Sequence, residues 1–398
     1  MLQPGYVGLV TGSHIAKIVD KLPSNRQRAS MVDSLLQAYK LDLACEPIPV
    51  KLITRTQLLE YHDFEFIEFL LQEYLTQDQT YKDSGLVKLP KQPVLKKQAF
   101  GLEYDCPLFA QLDEYIRTIA GATVSCAQYL IEKSQAPGVS QTQSPIVINW
   151  HGGRHHAKKS KSAGFCYVND VVLGILELRK TFDKVMYIDL DLHHGDGVAT
   201  AFTYSNKVLC LSIHRYDIGF FPGTGKVTDC GMGRGKNYTV NIPLQQGLDD
   251  NALKEIFTKV IQPYYDAFKP DAIVVLCGCD GLTRDPHREW NLSMRGLGDS
   301  IDKILNWNKP TMLLGGGGYN HRDTARCWSF LTAKALRWKT MDDWDLLPEH
   351  EYLDNYKDDG YTFWVDEMVG NMSNANTPEY LKRTISPLQD RLKEIKSK

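Results

Sequence analysis

Short apolar runs bounded by glycine or polar turns recur along the chain: YVGLV at 6–10, IVIN at 146–149, VMYIDL at 185–190, VLCLSI at 208–213, AIVVLC at 272–277 and TMLLG at 311–315. Their length and β-branched content predict buried strands. Between many of them, helix-period patterns predict helices, including 169–181, 251–268, 299–307 and 323–337. Buried strands alternating with helices make a mostly parallel sheet covered on both faces, so the expected class is α/β. No internal repeat or long linker interrupts the pattern, and residues 1–398 are expected to form one domain. SQAPGVSQTQSP at 134–145 reads as a flexible surface loop. Residues 365–398 read as a polar C-terminal tail, a short helix or partly disordered.

The predicted strands end in unusual chemistry. After 146–149 come His155 and His156, after 185–190 come Asp191 and His193, and after 208–213 comes His214. The run at 272–277 leads to Asp280, and 311–315 leads through four glycines to Tyr319. Ligands of open α/β sheets bind outside the carboxyl ends of the strands, so these groups are expected to share one site. Eight of the eleven histidines fall between His151 and His321, which fits a site better than scattered surface residues.

Asp189, Asp191 and His193 alternate, and alternate residues of a strand share a face. Carboxylates closing an apolar strand are costly to bury unless paired or bound to a cation. A catalytic metal needs three protein ligands and one open position, and Asp191, His193 and Asp280 supply a candidate set. It is oxygen-rich, so Fe²⁺ competes with Zn²⁺. Asp189 and Asp196, next to the tandem His155–His156, suggest two Asp–His pairs that fix imidazole tautomers. A phenol on the glycine turn, Tyr319, can donate to a developing oxyanion. GFCY at 164–167 and GFFPGTG at 219–225 offer Phe165 and Phe221 as walls of an apolar channel.

Composition narrows the function. A formal net charge of −2 gives no basic excess for direct DNA binding. Nine cysteines without a CxxC pair indicate free thiols and a reducing, intracellular compartment. The amino-terminal residues lack a secretory pattern. No apolar run approaches the roughly 18 residues that span a bilayer, so no membrane partner is expected.

Together, INWHGGRHHAKKSKSAGFCYVND, YIDLDLHHGDGV, GFFPGTG, CGCDGLTRDP and LLGGGGYN, in this order and spacing, resemble the zinc-dependent histone deacetylases of the class I branch, over nearly the whole chain. The resemblance implies one α/β domain with a central eight-stranded parallel sheet, the arginase/deacetylase fold. It implies zinc on Asp191, His193 and Asp280, with His155 paired to Asp189, His156 paired to Asp196, and Tyr319 polarising the acyl carbonyl. Gly164, Phe165 and Phe221 would line the acyl-lysine channel, and Asp105 would hold the substrate backbone at its rim. Monovalent cations, usually K⁺, would occupy one site at Asp189, Asp191, His193, Ser212 and Ile213, and a second at Phe202, Ser205, Val208 and Tyr238. The implied reaction removes acetyl or other acyl groups from lysine in histone tails or other proteins. A metal-activated water attacks, His156 is the general base, and His155 gives electrostatic support. Hydroxamate sensitivity, activity without corepressor partners and residence in nucleus or cytoplasm are further implications.

Three positions depart from the family pattern. Arg154 stands where Trp is usual, His287 takes a rim position usually held by Met or Leu, and 134–145 looks like an insertion. A two-manganese ureohydrolase would need a carboxylate at Gly195 and another at Leu282, so that reading fails. An acetylpolyamine amidohydrolase shares the chemistry and is separated only by substrate. Retention of every ligand, both Asp–His pairs and Tyr319 argues against a catalytically dead scaffold.

Overall fold

The computed structural model describes residues 6–72, 94–136, 143–339, 341–365 and 372–396. Eight strands form one sheet: β1 (Val7–Leu9), β2 (Glu46–Pro47), β3 (Ile146–Asn149), β4 (Val185–Asp189), β5 (Val208–Arg215), β6 (Thr239–Leu244), β7 (Ala272–Leu276) and β8 (Thr311–Leu314). Their spatial order is β2-β1-β3-β8-β7-β4-β5-β6, and all neighbours run parallel. Every carboxyl end therefore lies on one edge.

Six of these strands match the apolar runs. Two escaped the pattern for physical reasons. β2 is a two-residue strand, and β6 carries Asn241 and Pro243. Pro243 has no N–H to donate, which an edge strand such as β6 tolerates.

Alternation along the strands divides the core. Met186 and Ile188 pack with Leu297, Ile301, Trp328 and Leu331 of helices Met294–Leu305 and His321–Ala335. Val185 and Tyr187 face the opposite way, towards Ala122, Cys126, Val172 and Ile175 of helices Leu112–Gln135 and Asp170–Leu178. Each fully buried aliphatic side chain contributes roughly 1.5–3 kcal/mol. Both faces are covered, which is why β4 is apolar on both sides.

The expected helix at 299–307 begins earlier, at Met294, because the Ser293 side chain caps it by accepting from the Gly296 N–H. Gly296 and Gly298 had masked that first turn. The expected helix at 251–268 runs from Asp250 to Phe268 with a π-helical stretch at Phe257–Ile261.

One expectation about loops needs correction. Residues 134 and 135 end helix Leu112–Gln135 rather than begin a loop, and 137–142 lie outside the described residues. The tail is not merely polar: helix Pro378–Lys396 buries Leu381, Ile385, Leu388 and Leu392 against the main core. Its backbone is also anchored, since the buried Tyr264 hydroxyl donates to the Leu388 carbonyl at 2.8 Å.

Candidate active site

The central strands β3, β8, β7 and β4 are consecutive neighbours, so the segments leaving them converge. These segments carry the His155–His156 pair, the glycine turn to Tyr319, Asp280 with Asp285, and Asp191 with His193.

Asp189, the last residue of β4, is fully buried and saturated with donors. The His155 Nδ1 lies 2.8 Å from its Oδ2, the Tyr187 hydroxyl donates to the same oxygen at 2.6 Å, and the Asp191 N–H donates to Oδ1 at 3.1 Å. Tyr187 was missed from the sequence, although it lies two residues before Asp189 on the same strand face. Next along the chain, the His156 Nδ1 lies 2.8 Å from Oδ1 of Asp196, whose other oxygen accepts from Lys158. With Nδ1 donating to a carboxylate, each imidazole presents Nε2 to the site.

Asp170 holds the segment before this pair. Its carboxylate accepts the Gly153 N–H at 2.9 Å, the Arg154 N–H at 2.6 Å and the Thr123 hydroxyl at 2.5 Å. Asn169 adds hydrogen bonds to the carbonyls of His155 and Ala157 while its Oδ1 caps the helix that follows. No role for either residue had been read from the sequence, where they appear only as the end of GFCYVND.

Asp191, His193 and Asp280 are buried, and their ligand atoms all lie within 4.8 Å of one another. Among the described residues they are the single such group of three metal-competent side chains. The His193 Nδ1 lies 3.0 Å from Asp280 Oδ2 and 3.3 Å from Asp191 Oδ1. Backbone donors fix both carboxylates: Leu192 N–H to Asp280 Oδ1 at 3.0 Å and Gly317 N–H to Asp191 Oδ2 at 2.7 Å. Burial opposes a charge on His193, yet hydrogen bonds to Asp191 and Asp280 raise it to about 10. Asp280 rises to about 6 through burial and then the Asp191 charge. The pocket thus favours positive charge, and its donor set fits a divalent cation. A Cβ on Gly195 would lie 2.1 Å from Asp189 Oδ2, so the position where a ureohydrolase needs a carboxylate has no room for one.

The two histidines are driven apart electrostatically although their ring centroids are 3.9 Å apart. Burial pulls His155 down, but Asp189 and Asp191 outweigh it and lift His155 to about 9. Burial and the His155 charge push His156 down to about 4, against Asp196. A charged His155 beside a neutral His156 is the division expected of a supporting group and a proton acceptor.

Above them, the Phe221 ring lies 4.9 Å from His156 and 5.9 Å from His193. Phe165 meets Tyr319 edge-on at 5.8 Å, so both predicted channel walls reach the site. A Cβ on Gly164 would lie 2.5 Å from His156 Cδ2, and its φ of 53° is itself unfavourable for a side chain. Asp105 accepts the Gly164 N–H at 2.6 Å, which ties it to the channel wall. Phe220, overlooked in the sequence, stacks on His193 at 5.4 Å. His214 sits below and holds this loop, with Nε2 2.8 Å from the Gly225 carbonyl and Nδ1 2.9 Å from the Ser212 hydroxyl.

His287 is exposed, and its ring lies 4.8 Å from the Tyr319 ring and 5.1 Å from His193. Its Nδ1 is engaged by Asp285 Oδ1 at 2.9 Å, and Asp285 Oδ2 accepts the Tyr319 N–H at 2.8 Å. Asp285 thus connects the two, a role hidden in the CGCDGLTRDP motif because the partner lies on another strand end. Arg154 is buried rather than lining an open surface, and its Nη2 donates to the His151 carbonyl at 3.1 Å.

Of the proposed monovalent-cation residues, Asp189 and Ser212 are opposed across β4 and β5 beside the metal ligands. Phe202, Ser205, Val208 and Tyr238 lie apart from the centre, around the amino-terminal starts of β5 and β6. There the Ser205 N–H donates to the Phe202 carbonyl and the Cys210 N–H to the Tyr238 carbonyl, both at 2.9 Å.

All nine cysteines are free, eight of them buried. Among the described residues no helix is long and apolar enough to cross a membrane.

Such a site, on such a sheet, defines a class: the sequence matches the histone deacetylase domain over residues 22–335, and the chain belongs to the histone deacetylase family. It is therefore a hydrolytic lysine deacetylase by family, and the family is metal-dependent. Within that family it is similar to histone deacetylase 8. It is 37% identical over 376 residues to that protein from Danio rerio, covering 94% of this chain and 92% of the relative. The Xenopus tropicalis protein is 35% identical over 369 residues, covering 93% and 92%. Histone deacetylase HDAC1 of Drosophila melanogaster is 38% identical over 373 residues, covering 94% of this chain and 66% of the relative. RASMVDSLLQAY at 28–39 and EYDCP at 103–107 had already pointed to the histone deacetylase 8 type.

Proposed function

We propose that this chain, acting as one catalytic domain, hydrolyses the amide of acetylated lysine in histones or other proteins. The observation that carries the reading is the tandem histidine pair, each ring oriented by its own carboxylate, beside the buried Asp191, His193 and Asp280. Asp191, His193 and Asp280 would hold a divalent cation, Zn²⁺ or Fe²⁺, which would supply Lewis acidity toward the carbonyl and water. The side chain of the substrate enters between Phe165 and Phe221, and Asp105 holds the peptide backbone at the mouth. The Tyr319 hydroxyl donates to the carbonyl oxygen as charge builds there. His156 Nε2 takes a proton from the attacking water and returns one to the departing amine. His155 remains protonated against Asp189 and steadies the developing negative charge. The apolar channel accepts a neutral acylated lysine and disfavours the ammonium product, which promotes release.

K⁺ at the Asp189–Ser212 site and at the Phe202–Tyr238 site completes the proposed ion set. The compartment is nucleus or cytoplasm, without direct DNA contact, and corepressor partners are not required for turnover.

The test is metal content together with turnover of an acetyl-lysine peptide beside acetylputrescine. One divalent ion per chain and preferential peptide turnover are expected. Two tightly bound divalent ions, or preference for the polyamine, would overturn the reading.

A further inference from the structure

Two loops that leave different strands meet over His193. One follows β5 and carries Phe220 and Phe221; the other follows β7 and carries His287. The Phe220 ring stacks on His193 at 5.4 Å, and the rings of Phe221 and His287 approach it at 5.9 and 5.1 Å. Side chains from both loops therefore bound the same stretch of the channel.

Arg215 joins the two loops. It is the last residue of β5 and is 8% exposed. Its Nε donates to Glu289 Oε2 at 2.8 Å, on the second loop. On the first loop, its Nη2 donates to Asp217 Oδ2 at 3.0 Å and its Nη1 to the Tyr216 carbonyl at 2.8 Å. The guanidinium carbon also lies 5.4 Å from the centre of the Phe220 ring. A guanidinium suits this task, because its donors are fixed in one plane and serve several acceptors at once.

The backbone carries the connection to the channel on both sides. The Asp217 carbonyl accepts the Phe220 N–H at 3.2 Å, so the position of Asp217 is passed to the aromatic pair. On the other loop, the Arg288 N–H donates to the Asp285 carbonyl at 3.0 Å, and Asp285 Oδ1 engages His287. The Glu289 carbonyl accepts the Gly247 N–H at 2.7 Å, and the Arg215 N–H donates to the Leu192 carbonyl at 2.8 Å, so both ends of the ion pair start from fixed backbone. Surface ion pairs contribute little, but the Arg215 and Glu289 side chains are 8% and 20% exposed, where water screens them less.

We infer that Arg215 and Glu289 are positioning residues, an ionic clasp that fixes the Phe220–Phe221 loop against the His287 loop and so shapes the channel for an acyl-lysine side chain. The inference deepens the deacetylase reading and rests on it. Without the clasp the two loops part, the binding-competent arrangement becomes a fraction of the population, and apparent affinity falls by that fraction. The metal ligands and the histidine pair are held by other bonds, so the chemical step keeps its rate.

The test uses the metal-loaded full-length chain and an acetyl-lysine peptide. Glu289→Met removes the acceptor at similar side-chain length; it should raise KM roughly 10-fold and change kcat by less than about 2-fold. Glu289→Gln, which keeps an acceptor without the charge, should restore most of the lost affinity. Arg215→Met should raise KM at least as much, and adding Glu289→Met to it should cost nothing further, since one interaction is lost only once. Hydrogen exchange is a readout independent of turnover: in Glu289→Met it should quicken in 216–221 and 285–289 together. An unchanged KM in folded Glu289→Met overturns the clasp. So does a loss of kcat as large as the rise in KM, which would place the effect on the metal centre through Phe220. If Arg215→Met does not fold, the two Glu289 variants decide. A wild-type chain that holds its metal but leaves the peptide intact overturns the deacetylase reading, and the clasp then stands or falls on whether exchange quickens in both segments.

Discussion

A single methyl group at Gly317 is a sharp probe of the candidate metal centre. The backbone there does not require glycine, because the positive φ values of this turn fall on Gly316 and Gly318. An added Cβ would meet Asp280 Oδ2 at 2.2 Å, Asp280 Cγ at 2.5 Å and Asp191 Oδ2 at 2.9 Å, and nothing else closer. Ordinary contact begins near 3.4 Å, so Asp280 Oδ2 must retreat by about 1.2 Å (3.4 minus 2.2). Metal–ligand distances tolerate only about 0.2 Å. The Gly317 N–H bond to Asp191 survives in the variant, which leaves the steric displacement as the perturbation. Removing a supporting partner of a metal ligand typically costs about 10–100-fold in affinity. Displacing the ligand itself should cost at least roughly 100-fold, or about 2.7 kcal/mol, in Gly317→Ala. Equilibrium competition with a chelator, read by metal analysis, measures this directly, and a melting curve of the metal-free protein shows whether the fold is intact. A folded Gly317→Ala chain that binds the ion as tightly as the wild type would falsify the placement of the cation between Asp191 and Asp280.

Tyr319→Phe should lower kcat roughly 10²–10³-fold while KM changes little, since its hydroxyl acts when charge builds on the carbonyl oxygen; a near-normal kcat removes it from the mechanism. His287→Met should weaken inhibitors carrying a polar group at linker height by about 1 kcal/mol and spare simple aliphatic hydroxamates. Because Nδ1 already serves Asp285, the contact must come from Nε2, and equal losses for both inhibitor classes would show that no selective hydrogen bond exists. Acid should destabilise the fold through His62, whose Nδ1 lies 3.1 Å from the Lys159 carbonyl and whose Nε2 accepts the Asn169 N–H at 3.0 Å. Burial lowers His62 to about 4, below the reference of about 6.5, so the unfolded chain binds more protons and stability falls as pH drops from 6.5 towards 4. That contribution is about 3 kcal/mol by pH 4, and denaturation midpoints equal at pH 7 and pH 4.5 would contradict it.

Much of the chemistry was legible in the chain before any coordinates. The alternation of Asp189, Asp191 and His193 follows from strand geometry, so these residues could be grouped locally, and apolar runs with abrupt polar endings marked six strands and the edge where ligands bind. Residue type alone limited Asp191, His193 and Asp280 to a small set of metals. Pairing was different. Whether Asp170 supports the histidine segment and whether Asp285 joins His287 to Tyr319 depend on which strands lie side by side. Strand order is decided by crossover connections and by packing of the covering helices, interactions between residues far apart in sequence that leave no local period. Edge strand β6 and the docking of the carboxyl-terminal helix on the core escaped for the same reason: Asn241, Pro243 and the charged face of Pro378–Lys396 look polar in one dimension. Only the tertiary structure, by bringing β3, β8, β7 and β4 into one row, turned a series of separate motifs into a single centre, with His155 and His156 each held by its own carboxylate beside Asp191, His193 and Asp280.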